Sequence, residues 1–384
     1  MTSVPKPTVL MEPMNVPPRL LMGPGPSNMR SEVQEATSKS LLGHLHPEFV
    51  KIMDDVRLGI QYLFQTNNKL TFAVSGTGHA GMECALVNLL ERGEKILVVQ
   101  NGIWGARATS LAKRMGVDTF VLEIENGKAA SLGEFEKAVK EYKPDVVFIC
   151  HGESSTGVMH PLDGYGNICH QNNALFLVDT VASIGGAPFY SDNLNVDCVY
   201  SATQKVLNAP PGLAPISFSD RAVDKIKNRK TPVASFYFDA LELGNYWGCF
   251  GEVRRYHHTG MISMVYALRE ALAKLVEEGI DESVNRHKVN AQLFYKELKA
   301  IGLEPFVTDE VLRLPCLTTV KIPEKVTGAA VVGCMMNEGI EIAGGLGATF
   351  GKVWRIGTFG MNSNEVNIRK TVVQLEKCIN RNKV

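Results

Sequence analysis

Short apolar runs alternate with helical patterns along the first two thirds of this chain. Six runs that are apolar almost throughout predict buried strands, and three segments between them carry apolar residues at helical spacing. In order they read LTFAVS (70–75), HAGMECALVNLLERG (79–93), KILVVQ (95–100), WGARATSLAKRMG (104–116), DTFVLEI (118–124), SLGEFEKAVKEY (131–142), DVVFICHG (145–152), ALFLVDTVAS (174–183) and VDCVYSATQ (196–204). This alternation predicts an α/β domain with a mostly parallel sheet flanked by helices on both faces.

The pattern changes near residue 261, where two long amphipathic helices are followed by three β-like runs. These segments are MVYALREALAKLVEEG (264–279), ESVNRHKVNAQLFYKELKAIG (282–302), CLTTVKI (316–322), GIEIAGG (339–345) and KVWRIGT (352–358). They predict a smaller α+β C-terminal domain. The proline-rich start predicts an extended arm over residues 1–20, before a large domain over 21–278 and a small one over 279–384.

Composition narrows the classes of partner. Formal net charge is zero, so nothing favours a nucleic acid or an anionic membrane, and no apolar stretch approaches the roughly 20 residues of a membrane span. The eight cysteines are scattered and form no CxxC pair, which predicts reduced, buried thiols in an intracellular protein. Cysteine and histidine are adjacent at Cys150–His151 and at Cys169–His170. Neither pair has the spacing of a metal site, so we expect no metal.

SGTGHAG (75–81) contains GxGxxG between a predicted strand and a predicted helix. That geometry suits a dinucleotide pyrophosphate, a single phosphate at a helix N-terminus, or a tight turn that binds nothing. The dinucleotide reading needs an acidic residue at the end of the next strand, where this chain has Gln100 and Asn101. We therefore favour phosphate.

Asp179 comes after five consecutive apolar residues of a predicted buried strand, and Lys205 lies just beyond another, so both are expected at the carboxyl edge of the sheet. A helix N-cap or a structural hydrogen bond would also explain Asp179. An acid, an amine and a phosphate site together predict pyridoxal 5'-phosphate, whose ring nitrogen needs the acid and whose aldehyde needs the amine. Lys205 must be neutral to move a proton, which burial and a nearby positive charge would favour.

Three further side chains are candidates for this site. Trp104 follows a strand and could stack on a pyridine ring, although core tryptophans are common. Ser154 lies in HGESSTG, which misses the GxSxG nucleophile elbow, so we interpret it as a hydrogen-bonding group. Arg355, on an apolar run of the small domain, is either a carboxylate clamp or a surface arginine.

The chain also resembles the class V, fold type I aminotransferases, and within them the group that uses alanine or serine with glyoxylate. The motifs that carry the resemblance, in one order over nearly the whole chain, are LLMGPGPSN, SGTGHAGMEC, NGIWG, HGESSTGV, LVDTVAS, SATQKVLNAPPG, NYWGCF, RYHHT and GGLG followed by WRIG. The resemblance implies a homodimer with shared active sites.

It also implies a role for each site residue. Lys205 would carry the imine, Asp179 would pair with the pyridine nitrogen, and Trp104 and Ser154 would hold the ring. The phosphate ligands would be Thr77 (where serine is usual), Gly78, His79 and Gln204, with Tyr256 and Thr259 of the other subunit. Arg355 would bind the substrate carboxylate, with Ser154 and with Gly25 of the GPGPSN loop nearby.

The reaction implied is ping-pong transfer of an amino group from alanine or serine to glyoxylate. Related enzymes acting on 3-hydroxykynurenine are an alternative, but their usual Ser-Asn pair is replaced here by Gly43 and His44. An NAD-dependent oxidoreductase and a scaffold that catalyses nothing are the remaining readings. The ending NRNKV loosely resembles a peroxisomal address, with the cytosol and mitochondria as alternatives.

Overall fold

A computed structural model describes residues 3–383. Its α-helices are α1 Ser31–Thr37, α2 Pro47–Phe64, α3 Gly78–Leu89, α4 Ile103–Arg114, α5 Leu132–Tyr142, α6 Tyr165–Gln171, α7 Asp220–Lys227, α8 Ala240–Tyr246, α9 Ile262–Glu278, α10 Ile280–Ala300, α11 Gly328–Asn337 and α12 Glu365–Arg381. Single 3-10 turns lie at Thr8–Met11, Phe236–Phe238, Glu310–Leu312, Gly347–Thr349 and Gly360–Asn362.

The strands divide among one large sheet and three small ones. In chain order they are β1 Leu20–Leu21, β2 Leu70–Ser75, β3 Lys95–Gln100, β4 Asp118–Glu123, β5 Val146–Cys150, β6 Gly152–Glu153, β7 Val158–Met159, β8 Leu175–Asp179, β9 Cys198–Tyr200, β10 Leu213–Phe218, β11 Leu317–Lys321, β12 Ile340–Glu341, β13 Ala343–Gly344 and β14 Val353–Gly357.

The large sheet has seven strands in the order β2-β10-β9-β8-β5-β3-β4. β10 runs antiparallel to both neighbours, and every other adjacent pair is parallel. β2 therefore points the same way as the parallel strands. The carboxyl ends of β2, β3, β5, β8 and β9 consequently meet along one edge, which is where open α/β sheets bind their ligands.

Burial on both faces explains why these strands are apolar throughout. Every residue of β2, β5, β8, β9 and β10 is buried, and aromatic side chains such as Phe148 and Phe176 are fully enclosed. The prediction of a mostly parallel sheet covered by helices is confirmed. Ser131 opens helix α5 as predicted: it is the N-cap residue and forms a reciprocal capping box with Glu134.

A second, smaller core lies in the C-terminal part of the chain. The antiparallel sheet β11-β14-β13 and helices α10, α11 and α12 surround the fully buried Trp354. The run predicted as one strand over 339–345 forms two short strands, β12 and β13, with Ile342 between them. The α+β character expected of this part is therefore observed, while the division at residue 278 stays a prediction.

The chain start is anchored to this smaller core. Residues 3–18 are exposed, but β1 pairs in parallel with β12, and Met22 is fully buried in the smaller core. The Gly357 amide donates to the Met22 carbonyl at 2.8 Å. The loop that follows, from Gly23 to Asn28, is thereby held between the two parts of the molecule.

The cysteine prediction is wrong at two positions. Cys334 of α11 and Cys378 of α12 form a disulfide, whereas the other six cysteines are free and buried as expected. Two helices pack side by side here, which brings residues 44 apart in sequence within bonding reach. Sequence spacing carried no signal of this contact.

Two further predictions concern membrane spans and metal sites. Over residues 3–383 no helix is long and apolar enough to cross a membrane. No group of three or more potential ligands that could hold a metal ion occurs in the same range. Val384, the last residue of the predicted peroxisomal address, lies outside the described residues.

Candidate active site

One cavity of about 90 Å³ lies at the carboxyl edge of the large sheet and brings together eight of the predicted site residues. Its lining consists of Thr77, Gly78, His79, Met82, Trp104, Gly152, Ser154, Asp179, Val181, Ala182, Gln204 and Lys205. These residues lie at or after the carboxyl ends of β2, β3, β5, β8 and β9. The strand order therefore brings together residues that are up to about 130 positions apart in the sequence.

Lys205 lies in the loop after β9 and is held from two directions. Its Nζ donates to the Pro24 carbonyl, and it lies 5.6 Å from the centre of the Phe359 ring. The backbone is fixed by Ser27, whose hydroxyl donates to the Lys205 carbonyl at 2.6 Å. Burial, and then the Arg355 guanidinium, lower the pKa of Lys205 to about 8, although Asp179 opposes the shift. A sizeable share of this amine is therefore neutral near physiological pH.

Asp179 ends β8 and is almost fully buried, with 3% exposure. One carboxylate oxygen accepts from the Tyr200 hydroxyl at 2.5 Å and the other from the Val181 amide at 2.8 Å. Burial raises the pKa of Asp179 to about 6, while these donors and Lys205 act in the opposite direction. A buried carboxylate of this kind gains from a cationic partner in the cavity.

Trp104 and Ser154 form one wall of the cavity. The indole Nε1 donates to the Ser154 hydroxyl at 2.8 Å, and the ring meets the His79 imidazole edge-on at 5.6 Å between centroids. Trp104 is only half-buried, so its ring is not enclosed in the core. The ring can therefore contact a planar ligand, which a tryptophan enclosed in the core could not do.

Thr77, Gly78 and His79 begin helix α3 at the cavity, where unpaired amides favour an anion. A Cβ on Gly78 would come within 3.1 Å of Val181 and 3.2 Å of Ala202, so glycine keeps this approach open. The Gln204 side-chain oxygen is buried there without a hydrogen-bond partner. An unpaired buried amide is costly and indicates that a polar ligand belongs beside it.

Arg355 lies on β14 of the smaller core, and its Nε donates to the Gly344 carbonyl at 2.8 Å. It is close enough to Lys205 to lower that pKa, and burial lowers its own. Gly25 lies against the Lys205 side chain, where a Cβ would overlap the amine. Arg355 and Gly25 therefore lie close to Lys205 without lining the cavity, whereas Ser154, the third predicted substrate residue, lines it.

Tyr256 and Thr259 lie apart from the cavity of this chain and are exposed to solvent. Their segment is attached to the end of β2, because His258 contacts the Ser75 hydroxyl at 2.7 Å and the His257 ring at 2.7 Å. His44 lies against Tyr256 with 5.1 Å between ring centroids. Their predicted role across a subunit boundary stays a prediction.

Sequence reasoning missed Glu153. This residue lies three positions after the end of β5 and is fully buried, and its carboxylate accepts from an amide at the start of helix α4. Its signal resembles that of Asp179, because both are acids close to the carboxyl end of an apolar strand. The motif HGESSTG drew attention to the serine instead, because it resembles a nucleophile elbow.

The fold and the cavity place a buried amine and a buried acid beside the N-terminus of helix α3. A family model described as aminotransferase class-V matches residues 28–368, and the chain belongs to this family. It is an aminotransferase, and the fold of this class generally serves pyridoxal-phosphate-dependent enzymes.

Relatives with established names cover nearly the full length. The alanine–glyoxylate aminotransferase of Oryctolagus cuniculus is 47% identical over 374 residues, covering 97% of this chain and 95% of that protein. The crystal structure of alanine–glyoxylate aminotransferase from Nostoc sp. matches with a TM-score of 0.95 at 42% identity, covering 98% of this chain and 100% of that chain. Ureidoglycine–glyoxylate aminotransferase from Bacillus subtilis matches with a TM-score of 0.94 at 35% identity, covering 97% and 95%.

Proposed function

We propose that this protein is a pyridoxal-phosphate-dependent aminotransferase that moves an amino group from alanine or serine to glyoxylate. The observation that carries the proposal is the pairing of Lys205, whose pKa is lowered to about 8, with buried Asp179 across one cavity. The names of the relatives support glyoxylate as the acceptor, since both alanine–glyoxylate and ureidoglycine–glyoxylate aminotransferases are named for it.

The residues present fit pyridoxal phosphate. The amides in the first turn of α3 and the side-chain amide nitrogen of Gln204 can donate to a phosphate, and Gly78 lets the start of the helix approach Val181 and Ala202 closely. Asp179 is an acid that a protonated ring nitrogen would stabilise, and Trp104 offers a flat face. When bound, the cofactor supplies an aldehyde that reacts with amines and a ring that withdraws electrons from the substrate's Cα.

Each of the chain's own groups has a separate role in the reaction. Neutral Lys205 accepts the Cα proton at Nζ and returns it, which is general acid–base catalysis by a single side chain. Asp179 holds a proton on the ring nitrogen, and Arg355 orients the substrate carboxylate beside Lys205. The Pro24 carbonyl and the Phe359 ring keep the amine in place between these steps.

We also propose a homodimer with shared sites. Tyr256 and Thr259 are exposed and do not line the cavity of their own chain. A second copy could present them to the phosphate end of this cavity, where a phenol and a hydroxyl would add donors.

The purified protein, saturated with pyridoxal phosphate, tests the function directly. We expect alanine to change the absorbance of the bound cofactor and glyoxylate to reverse that change, with pyruvate and glycine formed in equal amounts. Faster turnover of 3-hydroxykynurenine than of alanine and serine would favour the alternative donor. Reduction of a nicotinamide, with no cofactor absorbance, would contradict the proposal.

Replacement of Arg355 by methionine is expected to raise the KM for alanine roughly 100-fold, because a carboxylate would lose its charged partner. It should also raise the pKa of Lys205 above about 8, since the guanidinium disfavours a second positive charge. The second effect is measurable in cofactor-free protein as the pH dependence of labelling at Lys205. Arg381→Met, on the exposed end of α12, is the matched control, and an unchanged KM in Arg355→Met would refute the assignment.

A further inference from the structure

Glu153 lies beside the proposed active site but does not line its cavity. It is the second residue of β6, which His151 separates from β5, and it has no exposure to solvent. Gly152 and Ser154, on either side of it, both line the cavity. The Glu153 side chain is therefore enclosed behind the cavity wall.

The Glu153 carboxylate satisfies the start of helix α4. One oxygen accepts from the Trp104 amide at 3.0 Å, and the other accepts from the Ser155 amide at 2.9 Å and its hydroxyl at 2.6 Å. The Ser155 hydroxyl in turn accepts from the Ile103 amide at 3.1 Å. The first two amides of α4, which have no partner within the helix, are thus bound by this pair.

The residue before the helix is shaped for this contact. The N-cap position is Gly102, which has no side chain to cap the helix, and a Cβ there would overlap the Glu153 carboxylate. Because Gly102 cannot cap the helix with a side chain, the buried carboxylate of Glu153 binds the amide at the helix start instead.

Trp104 is consequently held at both ends. Glu153 binds its backbone amide, and Ser154 accepts from the indole nitrogen at 2.8 Å. Consecutive residues of one loop therefore fix both the position and the tilt of the ring that forms the cavity wall.

We propose that Glu153 is a positioning residue of the aminotransferase site, whose carboxylate holds the start of α4 so that the Trp104 ring faces the cavity. The proposal rests on the proposed function for its link to the cofactor. Burial raises the pKa of Glu153 to about 7, with Asp179 and Arg355 as the charged groups nearby. Burial disfavours the ionised carboxyl, whereas the hydrogen bonds from the Ser155 hydroxyl and amide and from the Trp104 amide favour it.

The same loop also reaches the part of the chain that carries Arg355. The Thr349 hydroxyl donates to the Ser155 carbonyl at 2.9 Å, and the Glu153 charge stabilises the charged form of Arg355. A change at Glu153 therefore acts first on the Trp104 ring and second on the substrate side of the site.

Glu153→Gln keeps the size of the side chain but places an amide donor against a backbone amide. Acrylamide quenching of tryptophan fluorescence in cofactor-free protein reports mainly on Trp104, because Trp247 and Trp354 are buried. We expect the quenching constant of the variant to rise about twofold. We also expect its Kd for pyridoxal phosphate to rise about tenfold and its kcat to fall about tenfold, while the KM for alanine changes less than threefold.

Glu123→Gln, at the exposed end of β4, is the matched control and should leave all four values unchanged. If Glu153→Gln does not fold, Ser155→Ala removes one of the carboxylate's donors and is expected to shift quenching and Kd in the same direction by a smaller amount. Quenching and Kd within experimental error of the wild type in the folded variant would overturn the proposal. Failure of the wild type to bind the cofactor would instead count against the proposed function, since the quenching comparison needs no cofactor.

Discussion

Lys205→Ala is expected to lower turnover of alanine and glyoxylate by at least about 10⁴-fold, which is more than any other single change in this protein. Its Nζ is the amine placed to bond with the cofactor's aldehyde and to move the substrate's Cα proton. Pro24 contributes only a carbonyl and Phe359 only a ring at this point, so no neighbouring group can take over the proton. Arg355 remains protonated at all relevant pH values.

Steady-state assays of the purified variant, reconstituted with pyridoxal phosphate, measure this loss. Lys113→Ala, on the exposed face of helix α4, is the control and should keep full activity. A small primary amine such as ethylamine should restore part of the rate, because it can occupy the space of the missing side chain. A Lys205→Ala enzyme with more than a tenth of wild-type activity would exclude Lys205 as the catalytic base.

Asp179→Asn is expected to lower kcat roughly 10³-fold while leaving the fold intact. The amide can still accept from Tyr200 or Val181, but it cannot hold a positive charge on the ring nitrogen. Because burial disfavours the native carboxylate and raises its pKa to about 6, the neutral amide should not destabilise the protein. Losing this negative charge should also lower the pKa of Lys205 further, since Asp179 raises it.

The comparison of kcat with thermal unfolding separates these effects. We expect an unchanged or higher melting temperature beside the loss of kcat, and Asp179→Glu should recover part of the rate. Asp192→Asn is a suitable control, because that carboxylate binds Thr66 and Asn67 far from the cavity lining. A kcat for Asp179→Asn within tenfold of the wild type would show that the ring nitrogen is not held by this residue.

The parts of the fold that could be predicted are those in which one sequence pattern, such as an apolar run with polar ends, outweighs all others. The bounds predicted for β2 and β3 match the structure, because both runs are apolar and end at polar or glycine residues. β10 went unrecognised although all six of its residues are buried in the sheet. It contains Pro215, which usually argues against a central strand because proline cannot donate a ladder hydrogen bond. Here the Pro215 carbonyl still accepts from the Ser201 amide at 2.9 Å.

The candidate site was predictable for similar reasons. Asp179 and Lys205 were found because the carboxyl ends of parallel strands share an edge, whatever the strand order is. The contact of Glu153 with the start of α4 and the Cys334–Cys378 pair were not found, since each depends on how a helix packs in the folded chain. The proximity of Arg355 to Lys205 likewise depends on how the smaller core meets the sheet, which periodicity does not encode.

The pairing of β1 with β12 has a consequence for the order of events during synthesis. The second strand is translated roughly 320 residues after the first, which at the usual rate of translation is on the order of 15 to 60 s. Until then Leu20 and Leu21 have no partner strand, and the loop that carries the Pro24 carbonyl is anchored at only one end. The nascent chain can therefore assemble its large sheet on the ribosome, but Lys205 acquires its final surroundings only when the segment that carries β12, Arg355 and Phe359 has emerged.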